Sequence, residues 1–366
     1  MKITISAMAL ISILVAGAMA QQKGAPAPPP LACGQHGDAE VICGTRSPED
    51  LEVTPDGKFL IVAQFVTGPG SAGVAAGGNG ISLFDPAKKT FSMMTATPEP
   101  LKDWGDTTCT GPLGAGVAPH GTSLVKRSNG KWQLYVVNHA SRESIEMYEL
   151  TQTAGASLGG AWGLAWHGCV KSMHPFNDVA ALADGSFVAT HPDALQREQQ
   201  AQNKDGKGKQ QNNLTSGQPT GWAVRWTPGK GETELAGTRQ GYPNGIVATP
   251  DGRTAYYNAW TAKEVHKYDL RAGKEVGMVK LDFMPDNLTW TKKGNLLAAG
   301  IKGLGGDLNG FNVALVDAGK LTVKNVYDSA GKGALIGGVS VALQMGESVY
   351  IGAFNGDRIV KIGWKE

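Results

Sequence analysis

The chain has no cysteine after Cys169, and its four cysteines, Cys33, Cys43, Cys109 and Cys169, form no C-x-x-C pair. A zinc knuckle or a thioredoxin-type redox motif is therefore a weak reading. Charge of one sign is also scarce. Thirty-four Lys and Arg against 32 Asp and Glu leave a formal net charge of +2. That gives no basic footprint for nucleic acid and no polyanion signal. Beyond the N-terminus no apolar run reaches the roughly 20 residues a membrane-spanning helix needs. No long stretch keeps a helical period. A nucleophile elbow, and with it a serine hydrolase, is not expected. Glycine, in contrast, is abundant at 51 residues, which suits many turns and many short strands.

The first residues read as an address. Lys2 is a positive n-region, the apolar run Ile3 to Ala16 follows, and Ala18-Met19-Ala20 is a small-x-small cleavage site. Residues 1–20 are expected to be a signal peptide, 21–40 a Pro/Ala-rich leader, and 41–366 one all-β domain. Export to the periplasm or outside the cell follows, with membrane association not expected after cleavage. An even cysteine count in an exported chain suggests two disulfides. Of the three connectivities, Cys33–Cys43 (a short closed loop) with Cys109–Cys169 is favoured.

From Val41 onward one unit recurs: a polar loop, a strand, a tight turn and a second strand. Glu49-Asp50-Leu51 leads through Pro55-Asp56-Gly57 to Phe59–Ala63. Pro119-His120-Gly121 leads past Gly130 to Leu134–Asn138. Phe176-Asn177-Asp178 leads through Asp184-Gly185 to Phe187-Val188-Ala189. Pro243-Asn244-Gly245 leads through Pro250-Asp251-Gly252 to Ala255-Tyr256-Tyr257. Pro285-Asp286-Asn287 leads past Gly294 to Leu296-Leu297-Ala298. Ile336-Gly337-Gly338 leads past Gly346 to Val349–Gly352. Six such units predict a six-bladed β-propeller. The segment from Asp193 to Ser216, rich in Gln, Lys and Asn, is expected to be a solvated excursion, with a lid over one face as the alternative.

In a propeller the innermost strand of each blade starts near the central tunnel. The residues before it are Glu49/Asp50, His120, Asn177/Asp178, Asn244, Asp286/Asn287 and Gly337/Gly338. Carboxylate and amide oxygens are hard ligands, and six to eight at about 2.3 to 2.6 Å make a calcium site. Converging carboxylates would repel without a cation among them. A calcium-binding central tunnel is the expectation.

These segments resemble the paraoxonase family of calcium-dependent lactonases and arylesterases. The carriers are Ser47-Pro48-Glu49-Asp50-Leu51-Glu52-Val53, Pro119-His120-Gly121-Thr122-Ser123, Tyr135-Val136-Val137-Asn138-His139, Asn177-Asp178-Val179, Pro243-Asn244-Gly245-Ile246 and Asp286-Asn287, in the family's order. The likeness covers nearly all of the chain after Cys43. It is weaker to the senescence-marker type of sugar lactonase and to strictosidine synthases. The resemblance implies two Ca2+ ions. A catalytic one would be held by Glu49, Asn177, Asn244, Asp286 and Asn287. A structural one would be held by Asp50, Asp178 and the backbone carbonyl of Thr122. His120 would activate water, assisted by His139. The implied substrate is a small lactone or an aryl ester, and a monomer is expected. A gluconolactonase-type sugar lactonase and a non-catalytic periplasmic binding propeller with structural calcium are the alternatives. His36, His167, His174, His191 and His266 match no motif and are read as surface or structural. The family's end-to-end disulfide has no counterpart here, since no cysteine follows Cys169.

Overall fold

The computed structural model describes residues 29–65, 80–106, 108–109, 111–113, 116–152, 162–202, 217–304 and 310–366. The expected signal peptide and the leader through residue 28 lie outside the described residues, as do residues 203–216 of the Gln/Lys-rich segment.

Six antiparallel sheets follow one another around a common axis. Two short strands, β1 (Gly34–His36) and β2 (Ala39–Cys43), precede the first sheet. Blade one is β3 (Pro48–Val53), β4 (Leu60–Gln64), β5 (Gly80–Asp85) and β6 (Thr90–Met93). Blade two is β8 (Pro119–Lys126), β9 (Trp132–Asn138), β10 (Ser144–Gln152) and β11 (Trp162–Lys171), with β7 (Ala96–Pro98) added in parallel outside β11. Blade three is β12 (Val179–Ala181), β13 (Phe187–His191), β14 (Trp222–Thr227) and β15 (Gly231–Glu234). Blade four is β16 (Pro243–Ala248), β17 (Thr254–Ala259), β18 (Glu264–Asp269) and β19 (Lys274–Lys280). Blade five is β20 (Met284–Trp290), β21 (Leu296–Ile301), β22 (Phe311–Val316) and β23 (Val323–Asp328). Blade six is β24 (Val339–Met345), β25 (Ser348–Ala353) and β26 (Arg358–Gly363), completed by β2 and β1.

Blade six corrects the expected boundary at residue 41. Strand β1 and the first two residues of β2 fall within the span read as leader, yet β2 pairs along its whole length with β26. The physical reason is closure. An open ring would leave the β26 edge unpaired. The N-terminal strands cover it, and the Cys33–Cys43 disulfide ties the start of β1 to the end of β2. The second disulfide is Cys109–Cys169. Both pairings are the favoured ones.

Strand composition follows position in the blade. Middle strands such as Leu60-Ile61-Val62-Ala63-Gln64 and Leu296–Ile301 are buried throughout, because neighbouring blades cover both faces. Outermost β19, Lys-Glu-Val-Gly-Met-Val-Lys, alternates exposed and half-buried positions and carries lysine at both ends. One apolar cluster fills each of the six gaps between blades. The largest contains Phe311, Leu335, Val349 and Val360, between blades five and six.

Each gap is also latched by a polar side chain, on or next to an inner strand except for Asn258 of β17. Asp50 Oδ2 accepts from Thr122 N at 2.6 Å and Glu52 Oε1 from Leu124 N at 2.8 Å, joining blades one and two. Ser123 Oγ accepts from Ala181 N at 3.0 Å. Asp178 Oδ2 accepts from Ile246 N at 2.7 Å. Asn258 Nδ2 donates to Asp286 O at 2.7 Å, Thr289 Oγ1 to Ala342 O at 2.6 Å, and Ser340 Oγ to Glu49 O at 2.6 Å. Apart from the part-buried Glu52 bond, each lies where water is excluded, so losing one partner would strand a buried group.

The Gln/Lys-rich segment does not begin as irregular chain. Residues Ala194–Gln202 form helix α1. Ala194 is buried in the cluster between blades two and three, with Leu195 packed against it, and Arg197 pairs with Asp193 one turn earlier at 2.8 Å. Two apolar residues at the start dock the helix, although the rest is polar. Among the described residues no helix is long and apolar enough to cross a membrane.

Candidate functional site

A bulge opens five of the six inner strands. The ladder slips between Pro48 and Asp50, Pro119 and Thr122, Pro243 and Ile246, Pro285 and Leu288, and Val339 and Val341. A bulge takes residues out of the pairing ladder and re-aims their side chains. The slipped positions contain Glu49, His120, Asn244 and Asp286-Asn287. In four of the five the slip starts at a proline, which cannot donate to the ladder and is tolerated at a strand's first residue. Two glycines let neighbouring inner strands approach at this level. A Cβ on Gly121 would sit 2.5 Å from Asp178 Cα, and one on Gly245 would sit 2.5 Å from both Asn287 Cα and Asp286 O.

The structure gathers the expected donors at this end of the tunnel. Glu49 is fully buried, and Asn177, Asn244 and Asn287 are buried as well. Asn287 Nδ2 donates to Glu49 Oε1 at 3.0 Å. The Asn244 side chain hydrogen-bonds the Asp286 carboxylate. The amide nitrogens of Asn287 and Asn244 are thus spent on carboxylates. Four oxygens are left buried without a hydrogen-bond partner: Glu49 Oε2 and the Oδ1 atoms of Asn177, Asn244 and Asn287. Buried acceptors rarely go unpaired, and each calls for a donor, a water or an ion. Among the described residues no cluster of three His, Cys, Asp or Glu side chains is arranged to hold a metal. Here most of the orphaned donors are amides, which suits a hard cation.

Electrostatics point the same way. Burial, and then the negative charges of Asp50, Asp286 and Asp178, push the Glu49 carboxyl well above its ordinary range. Burial pushes Asp286 up to about 8. Asp50 is pushed up to about 6, again by burial, against the hydrogen bonds from Thr122 and Leu51. Burial and the charge of Asp50 raise Asp178. So many carboxylates in one dry space favour a positive guest.

The second expected set differs. Asp50 Oδ1 accepts from Leu51 N, and Oδ2 from both N and Oγ1 of Thr122. Asp178 Oδ1 accepts from Val179 N and Oδ2 from Ile246 N. None of these oxygens is orphaned; both carboxylates serve as latches between blades. Below them the tunnel widens into a cavity of about 400 Å³ walled by Leu51, Val125, Ile246, Leu288 and Leu343, with Glu52 among its polar groups.

His120 and His139 meet at the rim. His120 Nε2 lies 3.6 Å from Glu49 Oε1, and His120 Nδ1 lies 3.0 Å from His139 Nε2. Phe65 stacks on His120 with centroids 4.5 Å apart and an interplanar angle of 14°, and tilts against His139 at 5.4 Å. Burial, then the electrostatic influence of His139, lowers His120 well below the ordinary histidine range. Three residues beside the site carry no sequence signal: Phe65, Glu143 and Tyr242. Glu143 Oε2 is 2.6 Å from His139 Nδ1. Tyr242 packs on Trp260 at 5.5 Å. Burial raises its phenol, with further contributions from Asp193, Asp286 and Glu49. A neighbouring motif could have pointed only to Tyr242, which directly precedes Pro243-Asn244-Gly245.

Of the other histidines, His167, His191 and His266 are buried against carboxylates. They lie 2.9 Å from Glu149, 2.9 Å from Glu232 and 2.8 Å from Glu275. These are structural pairs. A string with elbow spacing, Gly155-Ala156-Ser157-Leu158-Gly159, does occur, contrary to expectation. It lies outside the described residues. It joins the antiparallel strands β10 and β11, whereas an elbow needs a strand followed by a helix.

Fold and site together define a six-bladed propeller with a dry, acidic tunnel mouth capped by a histidine pair. Residues 164–314 match the family described as SMP-30/Gluconolactonase/LRE-like region. The matched span holds Asn177, Asn244, Asp286 and Asn287, but not Glu49, His120 or His139. A luciferin-regenerating enzyme superposes with TM-score 0.50 at 12% identity, covering 89% of this chain and 95% of that one. A candidate gluconolactonase gives 0.49 at 15% identity over 91% and 96%. Virginiamycin B lyase from Staphylococcus aureus gives 0.44 at 13% over 90% and 82%. No curated protein matches the chain by sequence.

Proposed function

We propose that this protein is an exported, cation-dependent lactonase that hydrolyses small lactones, with aryl esters as side substrates. The carrying observation is four buried oxygens left without partners, from Glu49, Asn177, Asn244 and Asn287, with Glu49 in contact with Asn287 and next to His120. These residues, with Asp286, would hold one Ca2+ ion. The ion would supply Lewis acidity toward the substrate carbonyl and its developing negative charge. The Asp50 and Asp178 pair offers no orphaned oxygen, so a second ion with the Thr122 carbonyl finds no comparable support.

The chain's own residues would do the rest. His120 Nε2 takes a proton from water as its oxygen attacks the carbonyl carbon. The ring C–O bond breaks, and the proton returns to the leaving alkoxide, so lactone and water become one hydroxy acid. His139 supports His120 from behind, and Phe65 shields both rings from solvent. Two disulfides support an oxidising compartment and hence export.

The test is lactone turnover with and without chelator, and with His120→Gln. Chelator-sensitive turnover lost in the variant supports the reading. Calcium binding with no turnover across lactones and aryl esters favours a binding propeller. A sugar lactonase is the second reading, favoured by the family description of residues 164–314. Aldonolactones preferred over alkyl lactones would select it.

A further inference from the structure

Glu143 follows His139 by four residues, and no motif gives it a role. A carboxylate accepts hydrogen bonds and donates none. With Glu143 Oε2 at 2.6 Å, the proton of neutral His139 is fixed on Nδ1, leaving its Nε2 as an acceptor. That acceptor lies 3.0 Å from His120 Nδ1 and fixes the second proton there. The lone pair of His120 Nε2 is then free on the ring edge nearest Glu49.

We propose that Glu143 is a positioning residue which, through His139, holds His120 in the tautomer whose unprotonated Nε2 faces the cation pocket. Its catalytic consequence rests on the hydrolase reading above; the tautomer order does not.

The loop that presents Glu143 is held by other bonds, so Glu143 is not needed to build it. Asn138 Nδ2 donates to Ala140 O, Arg142 O and Ser144 Oγ, and Asn138 Oδ1 accepts from Ala118 N and Ala140 N. Arg142 grips fully buried Glu146 with two bonds of 2.9 and 2.8 Å, and Trp166 Nε1 donates to the same carboxylate. Ser172 N donates to Glu143 O at 3.1 Å, which fixes the backbone at Glu143 itself. A surface ion pair would need no such frame. A relay that sets a proton's position does, because its hydrogen bonds must keep one geometry.

The experiment is 15N NMR of the histidine rings in the full mature chain, wild type and Glu143→Gln, with steady-state kinetics on δ-valerolactone and phenyl acetate. In the wild type both His139 and His120 should carry the proton on Nδ1. A glutamine amide can donate to His139 Nδ1 and reverse the order. The variant should then show Nε2 protonation, a kcat lower by about 10- to 100-fold, and KM within about twofold. Calcium affinity should be unchanged, and Glu143→Asp should recover part of kcat. Wild-type His139 protonated on Nε2, or identical tautomers and kcat in Glu143→Gln, overturns the proposal. Full turnover in His120→Gln would sink the base role of His120, and no turnover by the wild type would sink the hydrolase reading, with the tautomers still decided by the spectra. An inactive His120→Gln beside a fully active Glu143→Gln would sink only the role of Glu143.

Discussion

Asn287 and Glu49 stand 238 positions apart in the chain, yet Asn287 Nδ2 donates to Glu49 Oε1 at 3.0 Å. One belongs to blade five and the other to blade one. Blade six lies between them and offers Gly338 and Ser340 at this level, so it leaves room for the contact. Ser340 turns its hydroxyl to Glu49 O instead. The bond spends the Asn287 nitrogen on Glu49 and leaves Glu49 Oε2 and Asn287 Oδ1 facing the tunnel with no partner.

If those oxygens hold a cation, removing it should destabilise the fold. At free calcium one hundred times the dissociation constant, binding adds about 2.7 kcal/mol. Thermal melts with calcium and with EDTA should differ accordingly. Superimposable melts, together with no heat of calcium binding, would refute the site.

Truncating the donors should weaken binding one at a time. Asn177→Ala and Asp286→Ala are each expected to reduce calcium affinity by about tenfold or more, about 1.4 kcal/mol. Titration calorimetry measures this. Affinity unchanged in both variants would remove the ligand assignment.

Gly245→Ala places a methyl 2.5 Å from Asp286 O and Asn287 Cα. Overpacking of this kind costs about 1 to 3 kcal/mol. The inner strands of blades four and five must part to admit it, so calcium affinity should fall along with stability. A stable variant with normal affinity would mean that the close approach is not needed.

Cys33→Ser with Cys43→Ser opens the staple on the closing strands. The loop spans a separation of 10 residues, for which chain entropy predicts a loss of about 2 to 3 kcal/mol. Amide exchange should speed up first in β1 and β2. Uniform loss of protection in all six blades would argue against local closure.

Glu149 gives a pH-dependent test. Burial pushes its carboxyl up, but the hydrogen bonds from Lys131 and His167 outweigh burial and hold it below the ordinary range. A depressed folded value stabilises above the unfolded pKa and fades as pH falls through the folded one. Glu149→Gln should therefore cost at most about 1 kcal/mol near pH 7 and nothing in strong acid. A deficit that grows toward low pH would contradict the assignment.

The repeat was legible because turns carry local chemistry. Pro-Asp-Gly and Asp-Gly turns mark hairpins whatever surrounds them, and Glu49, Asn177, Asn244 and Asp286-Asn287 recur at the start of the unit each time. Closure by β2 was not legible, because Ala39–Cys43 looks like any short strand until β26 is placed beside it. Helix α1 was hidden by its polar composition, since only Ala194 and Leu195 dock it. Glu143 and Phe65 were invisible for a similar reason. Each acts through one contact across a loop, and no periodicity announces that.

By itself the amino-acid order determined that this chain makes six β units and that carboxylate and amide residues recur at one corner of nearly every unit. Turn propensity and strand alternation act over a few residues, so sequence alone suffices for them. Only the tertiary structure decided which oxygens would be consumed and which left over. The ring of blades brings Asp50 and Asp178 against backbone donors of the next blade, and leaves one oxygen each of Glu49 and three asparagines without a partner. Hydrogen-bond satisfaction depends on neighbours 68 to 238 residues away, and that information exists only once the ring has closed.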